Sequence, residues 1–385
     1  MTLGAYIQVP FCQTKCTYCN FHTGVVARER YVPYADAICR EISQAGDLHG
    51  EIVDTIYVGG GTPSLLDPAA LATILDTLRE KYQVEAASEA TLEADPETID
   101  LQKSAAWIAA GFNRISMGVQ SFHDNELRAA GRVHRRADVF RATEMLRALG
   151  LQNIGMDLIA GLPHQTGESW DASIDELIAM RPEHISIYLL EIDEGSRLGR
   201  ESLAGGARYG AATIPSDDEQ AEFYESACAR LAIAGYEHYE ISNWALPGKH
   251  SRHNLKYWRR EPYIGFGAGA HSFDGATRWA NVHDSMRYVE LIGKGASARE
   301  QIEPVTPERA LDEEIFLGLR ELEGIDLNAI AARWNGEFSR REKGLREGIK
   351  RLEAEGFVET VGSRVRLAPS RLTVSNEVFV ELLNR

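Results

Sequence analysis

The chain has 385 residues, with 41 Lys and Arg against 57 Asp and Glu, so its formal charge is −16 when the histidines are neutral. With 44% hydrophobic and 25% charged residues it is neither collagen-like nor disordered, and no apolar run approaches the ~20 residues that cross a bilayer. The acidic balance argues against a nucleic-acid-coating role, because phosphate neutralisation needs a cationic surface, and favours small-molecule or protein partners. The length allows two or three domains. No basic residue precedes Lys15, so neither a secretory n-region nor a transit peptide is expected, and the cytoplasm is the expected compartment. Five cysteines make no disulfide framework, and three of them, Cys12, Cys16 and Cys19, fall within eight residues.

In chain order, short β-branched runs alternate with longer helical patterns up to about residue 195, the pattern of parallel βα units. The predicted strands are Ala5–Phe11, Asp54–Val58, Ala87–Glu93, Arg114–Gln120, Asn153–Ile159 and His184–Glu191. Helices predicted between them include Tyr34–Ala45, Pro68–Lys81 and Leu101–Ala110, whose apolar residues recur at three- and four-residue spacing. Six units in a row suit an incomplete parallel barrel or a doubly wound sheet. Either way the working surface lies beyond the carboxyl ends of the strands. The unusual polar residues fall there: the cysteines after the first strand, Gly59-Gly60-Gly61-Thr62 after the second, and Glu93 and Gln120 at the ends of the third and fourth. Asp157 lies inside the fifth.

The glycine-rich stretch Gly195–Pro215 is expected to be a loop or flap, followed by a helix over Ser216–Ala234 and a mixed segment, Tyr236–His283, dense in His, Trp, Tyr and Gly. After Pro304 the pattern gives helices over Arg309–Glu321, Leu327–Trp334 and Glu342–Glu355, then a ribbon of Phe357–Val361 and Val365–Leu367, together resembling a winged helix. Residues 306–385 carry 13 Lys and Arg against 15 Asp and Glu, which resists a DNA-binding reading despite the basic helix face of Arg340, Arg341, Lys343, Arg346, Lys350 and Arg351. The segments expected are thus a core over 1–200, a flap, helix and sheet-extending segment over 201–305, and a winged-helix-like region over 306–385.

Three thiols at spacings of four and three let one turn of chain wrap a soft metal centre. Four thiolates would close a cubane iron–sulfur cluster, whereas three leave one iron open to an exchangeable ligand. Structural zinc with His22 as fourth ligand competes on spacing alone. Farther on, His253-Asn254-Leu255-Lys256-Tyr257-Trp258, if helical, puts His253 and Tyr257 on one face, where an imidazole could ligate iron beside a packed aromatic ring. The alternative is a hydrogen-bonded structural histidine among core aromatics, with His250 and His271 as other candidates.

Taken together, CxxxCxxC, GGGTP, EATLEADP, GFNRISMGVQS and GMDLIAGLP resemble the radical S-adenosylmethionine superfamily, specifically its coproporphyrinogen dehydrogenase-like branch, over nearly the whole chain. The resemblance implies a partial parallel (β/α)6 barrel with a helical, winged-helix-like C-terminal domain. It also implies a [4Fe–4S] cluster held by Cys12, Cys16 and Cys19, with S-adenosylmethionine on the fourth iron. By the same resemblance Gly59, Gly60, Gly61 and Thr62 would meet the methionine end of the nucleotide. Tyr6, Tyr18 and Glu93 would line the cofactor, and Gln120, Arg132 and Asp157 would contact it further. The oxygen-independent coproporphyrinogen III oxidases carry a further cysteine two residues after the third, and here that position is Phe21. Cys12–Phe21 and HNxxYW are instead similar to the HemW haem chaperones. That branch implies a protein that binds haem and delivers it to haem-requiring proteins such as respiratory enzymes, with a homodimer as one assembly. The oxidase, a decarboxylating radical enzyme, is the alternative.

Overall fold

The computed structural model describes residues 2–46 and 52–383. Its centre is a run of six strands, β1 (Thr2–Val9), β2 (Ile52–Gly60), β3 (Gln83–Ala94), β4 (Arg114–Gln120), β5 (Ile154–Ala160) and β6 (His184–Leu189). They lie side by side in chain order, each parallel to the next. A doubly wound sheet reverses its strand order at a switch point. No reversal occurs here, so of the two architectures the sequence allows, the structure adopts the open barrel.

The connecting helices are α1 (Tyr31–Gln44), α2 (Pro68–Lys81), α3 (Leu101–Ala110), α4 (Asp124–Ala129), α5 (Arg136–Ala148) and α6 (Gly167–Met180). Their ends follow local chemistry. The Asp67 and Asp100 carboxylates cap α2 and α3, Thr166 caps α6, and α3 stops at Gly111, whose φ of +106° suits a residue without Cβ. α1 begins three residues before its predicted start, because Pro33 in the first turn forfeits only an N–H that has no helical partner. Alternate residues of β1, namely Leu3, Ala5, Ile7 and Val9, are buried in the same core as Leu71, Ile74, Leu75 and Leu78 of α2. At ~25 cal/mol per Å2 of apolar surface, this layer is a main source of the fold's stability.

The barrel does not close. β6 pairs with β8 (Asn243–Ala245), which follows β7 (Glu237–Glu240). At the other edge β1 pairs with β9 (Tyr263–Phe266), followed by β10 (His271–Phe273), β11 (Thr277–Asn281) and β12 (Arg299–Pro304), which extend one sheet of 12 strands. The expected flap over Gly195–Pro215 is more ordered than its glycine content suggests. Ser196 caps a helix at Arg197–Leu203, a tight turn covers Arg208–Thr213, and Leu198 and Ala211 join Ile159, Leu162 and Leu190 in a small second core. The helix at Asp217–Ile233 matches expectation.

The C-terminal region comprises helices at Pro307–Gly318, Leu327–Arg333 and Asn335–Ala354, then β14 (Val358–Val361) and β15 (Arg364–Leu367), which pair with β13 (Ile325–Asp326). A closing helix at Ser375–Leu383 had no counterpart in the sequence reading. Arg340, Arg346 and Arg351 of the basic face pair with Glu337, Glu342 and Glu381, and Arg341 pairs with Asp312. Among the described residues no helix is long and apolar enough to cross a membrane.

Candidate functional site

A cavity of about 610 Å3 opens at the carboxyl ends of the barrel strands. The residues expected at the site that line it are Cys12, Cys16, Cys19, Tyr18, Gly60, Gly61, Thr62, Glu93, Gln120, Arg132 and Asp157. Tyr6, Gly59 and His253 do not.

The cysteine loop leaves β1 at Phe11 and is held at several points. Cys12 N–H donates to Gly24 O (3.0 Å), Thr17 N–H to Ala130 O (2.9 Å) and Leu198 N–H to Thr17 O (2.7 Å). The next strand's end packs under it: Gly61 N–H reaches Val9 O (2.8 Å) and Thr62 N–H reaches Phe11 O (2.7 Å). A Cβ at Gly61 would lie 2.5 Å from Phe11 O, and one at Gly60, where φ is +111°, would lie 2.5 Å from the Gln8 side chain. The glycines therefore do two things, letting β2 close on the cysteine loop and leaving backbone bare at the cavity wall. Gly59 sits lower, where a Cβ would meet Tyr57 at 2.8 Å and Glu93 at 2.9 Å, so it makes room for Glu93 instead of facing the cavity.

Opposite the thiols, Arg132 joins the loop to the barrel. Its guanidinium donates to Cys16 Sγ (3.5 Å), to Gly118 O (2.8 Å) and to Asp95, which also accepts from Thr62 Oγ1 (3.0 Å). Asp95 lines the cavity too, although it is not among the residues the sequence singles out; it stands two residues after Glu93, just past the end of β3. Gly118 admits this cluster, since a Cβ there would stand 2.9 Å from Gln120 Nε2 and 3.3 Å from Arg132 Nη2. A register shift against β5 between Gly118 and Gln120, with φ of +66° at Gln120, accompanies the turn of that side chain into the cavity.

Glu93 accepts from Tyr57 Oη (2.8 Å) and Gly60 N–H (2.9 Å). Burial outweighs those bonds and pushes its pKa up to about 7, with the charges of Asp157 and Asp95 adding to the effect. Burial also raises Asp157, against the pull of the Ser186 hydroxyl and the Arg114 guanidinium, and raises the Cys12 thiol. The site thus combines thiols, bare backbone, paired acid and base, and in Glu93 a carboxyl able to keep a proton near neutrality. Three thiols and an open space beside them suit a cluster with one unprotected iron. His22 is not part of that arrangement, since its ring packs on His283, centroids 4.4 Å apart. Among the described residues no three His, Cys, Asp or Glu side chains converge on a single-ion position.

His253 is held at the opposite end of the barrel. The helix Arg252–Trp258 plugs the floor: Glu89 of β3 accepts from the backbone N–H of Arg252 and His253 (3.2 Å each), and Lys256 pairs with Asp54 (2.8 Å). The His253 ring is 1% exposed. Nδ1 faces Thr55 Oγ1 and Nε2 faces Tyr257 Oη, both at 2.9 Å, and the ring stacks on Tyr57 and Tyr6. Burial, reinforced by Lys256 and Arg114, drives its pKa down to about 3. Of the two readings the sequence leaves open for His253, this placement favours the second. Both nitrogens are committed, and the residue stands as the hydrogen-bonded structural histidine. Tyr6 belongs to the same layer, its hydroxyl donating to Gln8 Oε1 (2.6 Å).

Residues 6–177 match the radical SAM superfamily, and residues 305–370 match the HemN C-terminal domain. A protein of Bacillus subtilis named heme chaperone HemW is 34% identical over 98% of both chains. Its Escherichia coli namesake is 37% identical over 70% of this chain and 69% of its own. The solved coproporphyrinogen III oxidase HemN of Escherichia coli superposes with a TM-score of 0.85 over 99% of this chain and 90% of that one, at 23% identity, a likeness of fold. A cysteine loop over an open-barrel cavity, and full-length kinship at this level, lead to one assignment: the chain belongs to the HemW family of haem chaperones within the radical SAM superfamily.

Proposed function

We propose that this protein binds haem and passes it to haem-requiring proteins in the cytoplasm, respiratory enzymes among them, and that its cavity is built around a [4Fe–4S] cluster and S-adenosylmethionine. The observation that carries this reading is the 34% identity with a named haem chaperone over 98% of the chain, against a likeness of fold alone to the oxidase. Phe21 agrees with it: the side chain at the position of the oxidases' extra cysteine is apolar and 67% exposed.

Cys12, Cys16 and Cys19 would hold the cluster, which when bound supplies an electron source and an open iron for the nucleotide's amine and carboxylate. The chain's own groups then have separate tasks. Gly60, Gly61 and Thr62 present backbone to the nucleotide, and Glu93 keeps free lone pairs for a ribose hydroxyl while holding Tyr57 and Gly60. Arg132 ties the Cys16 thiol to Asp95 and so couples the loop's position to the barrel wall. Tyr18, Gln120 and Asp157 complete the lining. An exposed cysteine loop also suits assembly of two copies in response to the cluster.

The test is anaerobic reconstitution followed by haem addition and, separately, an anaerobic incubation with coproporphyrinogen III. A stable Soret band without porphyrin oxidation is expected. Conversion of coproporphyrinogen would overturn the chaperone reading. Gel filtration with and without cluster tests assembly, and an unchanged elution volume would remove the dimer from the proposal.

A further inference from the structure

We infer that His22, His271 and His283, gathered on the surface beside the cysteine loop, form the place where this protein holds an iron porphyrin through a single axial imidazole. The inference rests on the haem-chaperone reading and supplies the ligand that His253, closed within the barrel floor, does not offer.

The three imidazoles come from separate parts of the chain. His22 lies in the loop three residues after Cys19, His271 opens β10, and His283 follows β11. The His22 and His283 rings pack with centroids 4.4 Å apart and an interplanar angle of 37°. His271 is brought beside His283 by the backbone, since Asn281 N–H donates to Ala270 O and Gly269 N–H to Val282 O, both at 2.9 Å. All three are exposed, and their ring nitrogens enter no hydrogen bond or ion pair among the described residues. Among the described residues only His123 shares this lack of partners, and it is half-buried and stands alone. His134, His164, His184, His238, His250 and His253 each direct a ring nitrogen at a protein partner. An iron ligand needs a free nitrogen lone pair, and these are gathered here.

The surroundings are shaped for the group. Gly269, at φ +73°, stands where a Cβ would lie 3.0 Å from His283 Nδ1, so the glycine seats that ring. His271 pairs across the ladder with Ala280, a small neighbour. Phe21 and Val25, on either side of His22 in the chain, are 67% and 60% exposed, an unusual presentation of large apolar side chains and one that suits the face of a macrocycle.

Geometry also selects the ligand class. A bare transition-metal ion needs three or four donors converging on one point, and among the described residues no such group exists. A porphyrin already supplies four nitrogens to its iron and asks the protein for one or two. His22 and His283 lie ring against ring, so they cannot approach one iron from opposite faces. One imidazole binds, the other axial position stays open, and the haem remains exchangeable, as delivery requires.

The experiment is titration of the full-length chain with haem, followed by absorbance, for the wild type and for the combined His22→Ala, His271→Ala, His283→Ala variant. The single variants His22→Gln and His283→Gln serve as milder changes on an exposed surface. The combined variant should bind haem at least tenfold more weakly and give the spectrum of unligated haem, with its thermal midpoint and reconstituted cluster absorbance unchanged. Because one imidazole binds, at most one of the two single variants should reproduce the combined variant's loss, and full loss in both would overturn the single-ligand arrangement. An unchanged affinity and Soret position in the combined variant would overturn the histidine site and leave the chaperone reading standing. Absence of a stable Soret band in the wild type would instead remove the chaperone reading itself.

Discussion

Glu93 sits where two demands meet: it must accept from Tyr57 and Gly60, and it must do so out of water. Because its folded pKa is raised to about 7, the folded protein holds this proton more tightly than the unfolded chain. The stability it contributes is full below the unfolded value near 4.5 and is lost as pH rises through 7. The buried histidines act in the opposite sense: His253, lowered to about 3, favours folding above pH 6.5 and costs stability as pH falls. A single wild-type profile therefore mixes the two. The difference between wild type and Glu93→Gln isolates the carboxyl and should shift against the wild type by up to about 1.4 kcal/mol per pH unit between 4.5 and 7 in urea unfolding of the apoprotein. A difference independent of pH would contradict a buried, protonatable Glu93. At the thiols the expected outcome is sharper. Cys19→Ala should abolish the brown cluster chromophore after anaerobic reconstitution, because two thiolates do not hold a cubane against hydrolysis, and iron and sulfide analysis checks it.

At the scale of elements, the junction of β2 with the cysteine loop depends on one missing methyl group. In Gly61→Ala the new Cβ would press on backbone at Phe11, which cannot swing aside as a side-chain end can. The expected cost is about 1–3 kcal/mol of stability with a lower iron content on reconstitution, whereas alanine at Gly24, where a Cβ meets nothing within 4 Å, should leave both close to wild type. The same element shows what a sequence makes legible. The six parallel strands and the polar residues at their ends follow from alternation and composition, so the thiols, the glycines, Glu93 and Gln120 were found where strands stop. Asp95 was passed over because nothing local distinguishes a cavity carboxylate from a helix-approach residue. Only Arg132, 37 positions on, gives it a role. HNxxYW shows the converse. Its helix could be read from spacing, but its place as a plug depends on Glu89 and Thr55, more than 160 residues away, and no local pattern encodes that meeting.

The whole molecule is joined by contacts of that long-range kind. The C-terminal region reaches the cavity itself: Arg320, Leu372, Thr373, Ser375 and Asn376 line it beside the barrel residues. It docks on the short strands that extend the sheet edges and on the helices at Arg252–Trp258 and Asp217–Ile233, and those strands are hard to foresee because three- to six-residue strands carry little periodicity. Glu313 is central to the docking. It accepts from Arg260 (2.9 Å) and Arg278 (2.8 Å), its side chain is only 15% exposed, and the Arg260 side chain is 9% exposed. Burial alone would raise its pKa, but the bonds from Arg278 and Arg260 hold it below the usual carboxylate value. By linkage its contribution is present above the unfolded value near 4.5 and is lost as pH falls through the lowered folded value. Glu313→Gln leaves two guanidiniums facing each other without a counter-charge. It should cost about 3 kcal/mol in denaturant unfolding at pH 7, and the penalty should shrink as the wild type is titrated below pH 4. Since the wall at Leu372–Asn376 is carried by the same region, the variant should also be cut faster by protease in the segment before Pro307. An unaltered proteolysis rate with an undiminished midpoint would mean that the C-terminal region is held to the barrel by its other contacts, such as Arg259 with Glu321 and Leu322 N–H with Tyr239 O, and not by Glu313.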